Sequence, residues 1–200
     1  VNYCMGCHSL QYMRYNRMAA DLGIDAATLR QNLIPTGAKS GDLMHTAMGA
    51  ENAEKWFGTA PPDLTLVTRW RNPDWLYTYL KTFYADPSRP YGVNNLVFPE
   101  VGMPHVLAGL QGIQQPKFDE HQGQGGEVVK KVVGVEAAAG GSLSAEEFDK
   151  FARDLTAFLA YAGEPMKLER QTLGIYVLLF LGLFFILAYA LKKEYWKDVH

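Results

Sequence analysis

Five residues near the start of the chain, Cys4-Met5-Gly6-Cys7-His8, limit what it can become more than any other feature. They contain both cysteines of the sequence. A chain that uses the two thiols together has none left for a structural disulfide. On one helical turn, side chains three residues apart face the same side. The histidine beside the second cysteine then presents a ring nitrogen to the same space. Cys-x-x-Cys alone also occurs in dithiol redox pairs and in half of a zinc site. The redox pair calls for a βαβ context, and no such strands are legible here. Structural zinc calls for four ligands, and this run offers three. With histidine directly following, the spacing is that of covalent c-type haem attachment. Cys4 and Cys7 meet the two vinyl groups of one porphyrin, and His8 meets its iron.

A closed iron site needs a second axial ligand. Met5 sits inside the motif, and Met13 and Met18 follow it too closely to reach the far face of the ring. Met103 stands in Val101-Gly102-Met103-Pro104-His105. Glycine permits a close approach and proline cannot continue a helix, so the sulfur is offered from a loop. Met44 and Met48 stay open by chain reach, and His105 is the rival within the same segment. The choice decides the chemistry, because Met/His ligation raises the reduction potential and fills the position that oxygen or peroxide would take. Met103 on the iron makes an electron carrier. A displaceable ligand would make a haem sensor or a peroxidase-like enzyme.

The second constraint lies near the other end. Thr172 to Leu191 is a run of 20 residues without a charge. At about 1.5 Å per residue it spans roughly 30 Å, the thickness of a bilayer core. Tyr189, Tyr195 and Trp196 supply interfacial aromatics, and Lys192, Lys193 and Lys197 place positive charge just beyond it. The whole chain carries 19 basic and 21 acidic groups, a formal net charge of −2. That balance lacks the basic surface of a nucleic-acid binder, so no nucleic-acid partner is expected.

Between these landmarks, the spacing predicts helix around and after the haem motif to about Ala20, and short helices over Ala26 to Leu33 and Ala50 to Phe57. Asn72-Pro73-Asp74 starts a helix that runs through Trp75, Leu76, Tyr79, Leu80 and Phe83. Ser88 to Pro104 reads as loop. Ile113 to Gly141 is rich in Gly and Gln around Val128 to Val133, and is expected to form a two-stranded surface hairpin. Ser144 to Glu147 is a capping box. It opens a helix with Phe148, Phe151, Leu155, Phe158 and Leu159 on one face. The chain opens abruptly before the haem motif, and residues upstream of it are expected.

Taken in order, Val1-Asn2-Tyr3-Cys4-Met5-Gly6-Cys7-His8-Ser9-Leu10, Ala60-Pro61-Pro62-Asp63-Leu64, Gly102-Met103-Pro104 and Gly163-Glu164-Pro165 before a single C-terminal anchor resemble the cytochrome c1 family, the haem subunits of quinol–cytochrome c reductase (cytochrome bc1). The resemblance covers essentially the whole chain. The haem motif is shared by all c-type cytochromes, whereas the Ala-Pro-Pro-Asp-Leu segment and the anchor narrow it. The resemblance implies a mainly α, c-type cytochrome fold with long loops and a small β-hairpin insertion, plus one C-terminal transmembrane helix. Residues 1–165 would form the haem domain, outside the cytoplasm, with 113–141 as the insertion. Residues 166–200 would hold the anchor (span 172–191) and a short cytoplasmic tail. One covalent haem c would receive electrons from a Rieske iron–sulfur protein and pass them to a soluble cytochrome c, with the anchor beside cytochrome b in the cytoplasmic membrane of a bacterium. By the same resemblance, Arg71 would pair with a haem propionate and Pro62 would pack against the haem edge. A haem subunit of another respiratory complex is the nearest alternative.

Overall fold

In the computed structural model the described residues are 1–35, 37–122 and 128–199. The elements run β1 (Leu10–Arg14), α1 (Tyr15–Asp21), α2 (Ala26–Thr28) with a π turn over Leu29–Leu33, β2 (Leu43–Met44), α3 (Ala50–Phe57), α4 (Val67–Trp70) and α5 (Pro73–Lys81). Then come β3 (Phe83–Ala85), β4 (Val93–Asn95), α6 (Ala108–Gln111), β5 (Gly112–Ile113), β6 (Pro116–Gln122), β7 (Val128–Val135), β8 (Ala139–Gly140), α7 (Ala145–Gly163) and α8 (Lys167–Tyr195). Among the described residues helices dominate, and the strands form four separate antiparallel pairs: β1–β2, β3–β4, β5–β8 and β6–β7. The chain divides into two units, residues 1–163 and 164–200.

The larger unit is built around α7. Its buried residues Phe148, Ala152, Thr156, Leu159 and Ala162 recur at helical spacing. Of these, Phe148, Leu159 and Ala162 join Leu76 and Leu80 of α5, Val67 of α4 and Leu107 in one core with Leu10, Met13, Tyr15, Met18 and Met44. Methionine fills irregular space well, and this core takes four of them: Met5, Met13, Met18 and Met44. The α7 N-terminus is capped as the sequence predicts. Ser144 Oγ accepts from the Glu147 N–H at 3.3 Å, and the Glu147 carboxylate accepts from the Ser144 N–H at 2.9 Å. The α5 start also follows its signal, with the Asn72 side chain accepting from the Trp75 N–H at 2.6 Å and Pro73 in the first turn. Between α5 and α7, the Asp149 carboxylate accepts from the Tyr77 hydroxyl and from Lys81 Nζ.

At the end of α7, a Cβ on Gly163 would lie 3.0 Å from Thr68 Oγ1 and 3.3 Å from the Thr65 carbonyl. The end of α7 therefore passes the Thr65–Thr68 segment closely, and a side chain at this position would make those neighbours give way. The insertion forms the expected hairpin, with β6 and β7 paired from Pro116↔Val135 to Gln122↔Val128. Its tip, 123–127, lies outside the described residues. The base is closed by β5–β8, where Gly112 takes φ +85° and a Cβ would meet the Ala139 carbonyl.

Two expectations need correction. Helix does not continue from the haem motif to Ala20. The motif is a turn, and Leu10 to Arg14 is a strand paired with Leu43 and Met44. Buried Leu10 and Met13 gain cover from β2 that an isolated helix here would lack. Phe83 belongs to β3 rather than to the preceding helix. It pairs with Asn95, so part of the stretch expected as loop is a short hairpin. In the smaller unit, α8 runs 29 residues, and no residue of its most apolar stretch is buried within the protein. By length and composition it can cross a membrane.

Candidate haem site

The haem motif folds into one helical turn. The Cys7 and His8 N–H groups both donate to the Cys4 carbonyl, at 3.1 and 2.9 Å. This puts the two thiols on the same turn, unpaired with each other and half-buried. Burial pushes the Cys4 thiol above its usual value, so it stays protonated at neutral pH. His8 Nδ1 lies 2.7 Å from the Pro62 carbonyl. With its proton on Nδ1, the ring donates to that oxygen and leaves Nε2 with a free lone pair. Metal-bound histidines use such a bond to fix tautomer and ring orientation.

Asp63 explains why Pro62 arrives there. Its carboxylate accepts from the Gln11 N–H at 2.8 Å and from the Thr65 N–H at 2.9 Å. The Leu64 N–H donates to the Ser9 carbonyl at 2.9 Å. Together these bonds lace the Ala60–Leu64 segment along the residues that follow His8. Thr46 ties the other side, donating through Oγ1 to the Gly6 carbonyl at 3.0 Å and through its N–H to Ser9 Oγ at 2.9 Å. Asp63→Ala removes two charge-assisted bonds and is expected to cost about 2–3 kcal/mol. Denaturant unfolding would measure it, and an unchanged midpoint would show the lacing to be dispensable.

An apolar cavity of about 260 Å³ opens beside the turn. Cys4, His8, Met18, Met44, Leu64 and Leu155 are among its walls. Met103 and Arg71 are not on that wall. Met103 packs on a second, smaller cluster of Phe83, Val93 and Val101, and its sulfur accepts from the Tyr79 hydroxyl at 3.4 Å. The approach to Met103 is held firmly. Glu100 adopts φ +61°, a conformation that costs a non-glycine residue energy. Its N–H donates to Asn94 Oδ1 at 2.9 Å, and its carbonyl accepts from Arg89 at 2.7 Å. Asn95, fully buried, anchors the same hairpin by accepting from the Val97 N–H at 3.0 Å and donating to the Tyr79 carbonyl at 2.8 Å.

Arg71 packs its guanidinium over Trp75 at 4.6 Å and over Trp70 at 5.1 Å. Its Nε is buried without a hydrogen-bond partner. A desolvated guanidinium nitrogen calls for an acceptor, and a carboxylate is the acceptor that its fork matches. His105, the rival ligand, is buried and stacked on Phe83 with ring centroids 4.8 Å apart. Burial lowers its affinity for a proton.

These features fit a covalently held haem. Two thiols share a turn, an imidazole is oriented with one nitrogen free, and a buried guanidinium nitrogen of half-buried Arg71 stands without an acceptor. Among the described residues no group of three or more His, Cys, Asp or Glu is placed to hold a metal ion by itself. Sequence reasoning missed the Pro62 carbonyl and the Tyr79 hydroxyl. The first is a backbone atom, invisible to residue type. The second had a signal in its tyrosine on an otherwise apolar helical face.

A mainly helical domain carrying such a turn, followed by an apolar helix long enough to cross a membrane, defines an anchored c-type cytochrome. Residues 134–199 match the model of the cytochrome C1 family. The whole chain is 64% identical to a cytochrome c1 of Allochromatium vinosum, covering 81% of that protein. It is 48% identical, again over its whole length, to a Nitrosomonas europaea protein called ammonia monooxygenase gamma subunit, covering 80% of it. It is 25% identical over 98% of its length to a cytochrome b/c1 of Bradyrhizobium diazoefficiens, covering 32% of that longer protein. The chain belongs to the cytochrome c1 family, whose members carry covalently bound haem c.

Proposed function

We propose that this chain is the haem subunit of a quinol–cytochrome c reductase, taking single electrons from a Rieske iron–sulfur protein and giving them to a soluble cytochrome c. The observation that carries the reading is His8, held by the Pro62 carbonyl on the turn that bears both thiols. In this reading Cys4 and Cys7 would hold the haem covalently, His8 and Met103 would ligate its iron, and Arg71 would pair with a propionate. The bound haem supplies a one-electron redox centre. The chain's own residues orient it, keep water from it and fill its coordination. Cytochrome b is the expected neighbour of α8, a pairing supported by the relative named cytochrome b/c1. Lys192, Lys193 and Lys197 favour a cytoplasmic tail, which leaves the haem domain on the outer face of the cytoplasmic membrane.

Between the methionines, Met103 is favoured over Met44. Met44 pairs with Leu10, only two residues beyond His8. Its side chain is buried in the main core, whereas the Met103 sulfur carries a hydroxyl partner on a separate cluster. Met48 is half-buried on the same connection, its N–H bonded to Thr46 Oγ1.

The test is stopped-flow mixing of membranes holding the reduced chain with oxidised soluble cytochrome c, followed by quinol-driven re-reduction. Rapid oxidation is expected, with re-reduction lost when the iron–sulfur protein is removed. Re-reduction that survives that removal would overturn the donor assignment. The Nitrosomonas relative supports a second reading, a haem subunit of a different membrane complex. Affinity purification separates the two by recovering either cytochrome b or monooxygenase subunits.

Arg71→Ala is expected to lower the midpoint potential. Reduction removes one positive charge from the iron, so a nearby cation favours the reduced state, and losing it costs about 1 kcal/mol. Redox titration checks this, and an unchanged midpoint with haem retained would place Arg71 away from the propionates.

A further inference from the structure

Arg71 and Met103 lie 32 positions apart in sequence, yet one aromatic stack joins them. The Arg71 guanidinium lies over the Trp75 ring at 4.6 Å. Trp75 stacks on Tyr79 with centroids 5.1 Å apart and planes 13° from parallel. Tyr79 meets Phe83 edge to face at 5.1 Å, and its hydroxyl donates to Met103 Sδ at 3.4 Å. The Tyr79 backbone is fixed as well, since its carbonyl accepts from the buried Asn95 amide. A ring stacked on Trp75, touching Phe83 edge to face and fixed at its backbone cannot swing its hydroxyl elsewhere without breaking several contacts. A thioether is a weak acceptor, so a half-buried phenol directed at one is an unusual choice of partner. Nothing in packing alone calls for it, because phenylalanine would fill the same space.

We propose that Tyr79 is a positioning residue for the axial sulfur. Its hydroxyl holds Met103 in the rotamer that faces iron and withdraws electron density from the thioether. The proposal rests on Met103 being the ligand. A thioether already favours ferrous iron, and a hydrogen bond to it weakens its donation further. The ferric state, which depends more on that donation, loses more. The bond therefore raises the midpoint potential, and it slows exchange of the sulfur for an external ligand by resisting rotation of the Met103 side chain.

The experiment uses the full haem-loaded chain in its membrane. Redox titration, the long-wavelength sulfur-to-iron charge-transfer band of the ferric state and the rate of carbon monoxide binding to the ferrous state are measured in three proteins. These are Tyr79→Phe, Met103→Leu and a protein with 3-fluorotyrosine at position 79. Tyr79→Phe keeps the ring and its stacking. It is expected to retain the band at a shifted wavelength and to bind carbon monoxide faster. Its midpoint should fall by up to roughly tenfold in the ferrous-to-ferric ratio, about 59 mV for one electron. Fluorotyrosine is a stronger donor of the same shape and should move the midpoint the other way. A purely structural role for Tyr79 predicts no such opposite shifts. If Met103→Leu loses the band while both position-79 variants leave midpoint, band and carbon monoxide rate unchanged, the proposal is overturned and the ligand assignment stands. If Met103→Leu keeps the band, the ligand assignment fails and the proposal falls with it. Should Tyr79→Phe load haem poorly, the fluorotyrosine protein decides alone: a raised midpoint supports the proposal and an unchanged one overturns it.

Discussion

Cys4→Ala with Cys7→Ala is expected to yield a chain from which acid–acetone extracts all of the haem. Each thiol can form one thioether, and the turn offers no third nucleophile. His8 could still ligate the iron through its free nitrogen, but coordination does not survive acid. Either single change should keep the haem attached at one edge, with weaker retention and a shifted reduced spectrum. The two singles need not be equal. Cys4 lies on the cavity wall and its thiol is buried enough to stay protonated, whereas Cys7 is not part of that wall. The double mutant should also be less stable. A cavity lined by Leu10, Met18, Leu64 and Leu155 is expected to collapse beside a turn that no longer holds a large apolar group. Haem that stays with the double mutant through extraction would refute covalent attachment through these residues.

The elements legible in the sequence are those whose signals are local. Asn72-Pro73 and Ser144 to Glu147 cap their helices through atoms within three residues, and the α8 segment needs only its own composition. The hairpin of the insertion was legible because Val128 to Val133 has strand propensity between turn-rich flanks. Leu10 to Arg14 was not, because its partner is two residues long and lies about thirty positions away. A strand that short owes its existence to burial of Leu10 and Met13, and burial is decided by the whole fold. The same division runs through the candidate site. Cys4, Cys7 and His8 declare themselves by spacing. Pro62 was picked out by family resemblance for its ring, whereas the structure uses its carbonyl, placed by the bonds of Asp63 to Gln11 and Thr65. Met44 reads in sequence as an open choice of ligand. The structure buries it in the main core. The cavity lining does not include Met103, so the case for it still rests on its loop, its rigid approach and its tyrosine partner.

Met103→Leu therefore has the most at stake for function. Leucine matches methionine in size, so the second cluster of Phe83, Val93 and Val101 should stay packed, and the stability change should remain below about 1.5 kcal/mol. The chemistry changes far more than the fold. Without the thioether the sixth position opens to water in the ferric state and to carbon monoxide in the ferrous state. Loss of a soft donor that favours ferrous iron lowers the midpoint. A Rieske centre can then no longer pass its electron downhill, and steady-state quinol-to-cytochrome c turnover is expected to stop with haem content unchanged. The long-wavelength charge-transfer band should vanish with it. Met103→His would close the position again at a low potential, so turnover should stay absent although carbon monoxide no longer binds. That pair of variants separates the need for a closed site from the need for a high potential. Persistence of the band in Met103→Leu would point to another methionine, Met48 before Met44, since Met44 is buried in the main core. If the wild-type chain has no such band and His105→Ala opens the iron, His105 is the ligand. Its stacking on Phe83 would then have to open to let the ring reach the metal.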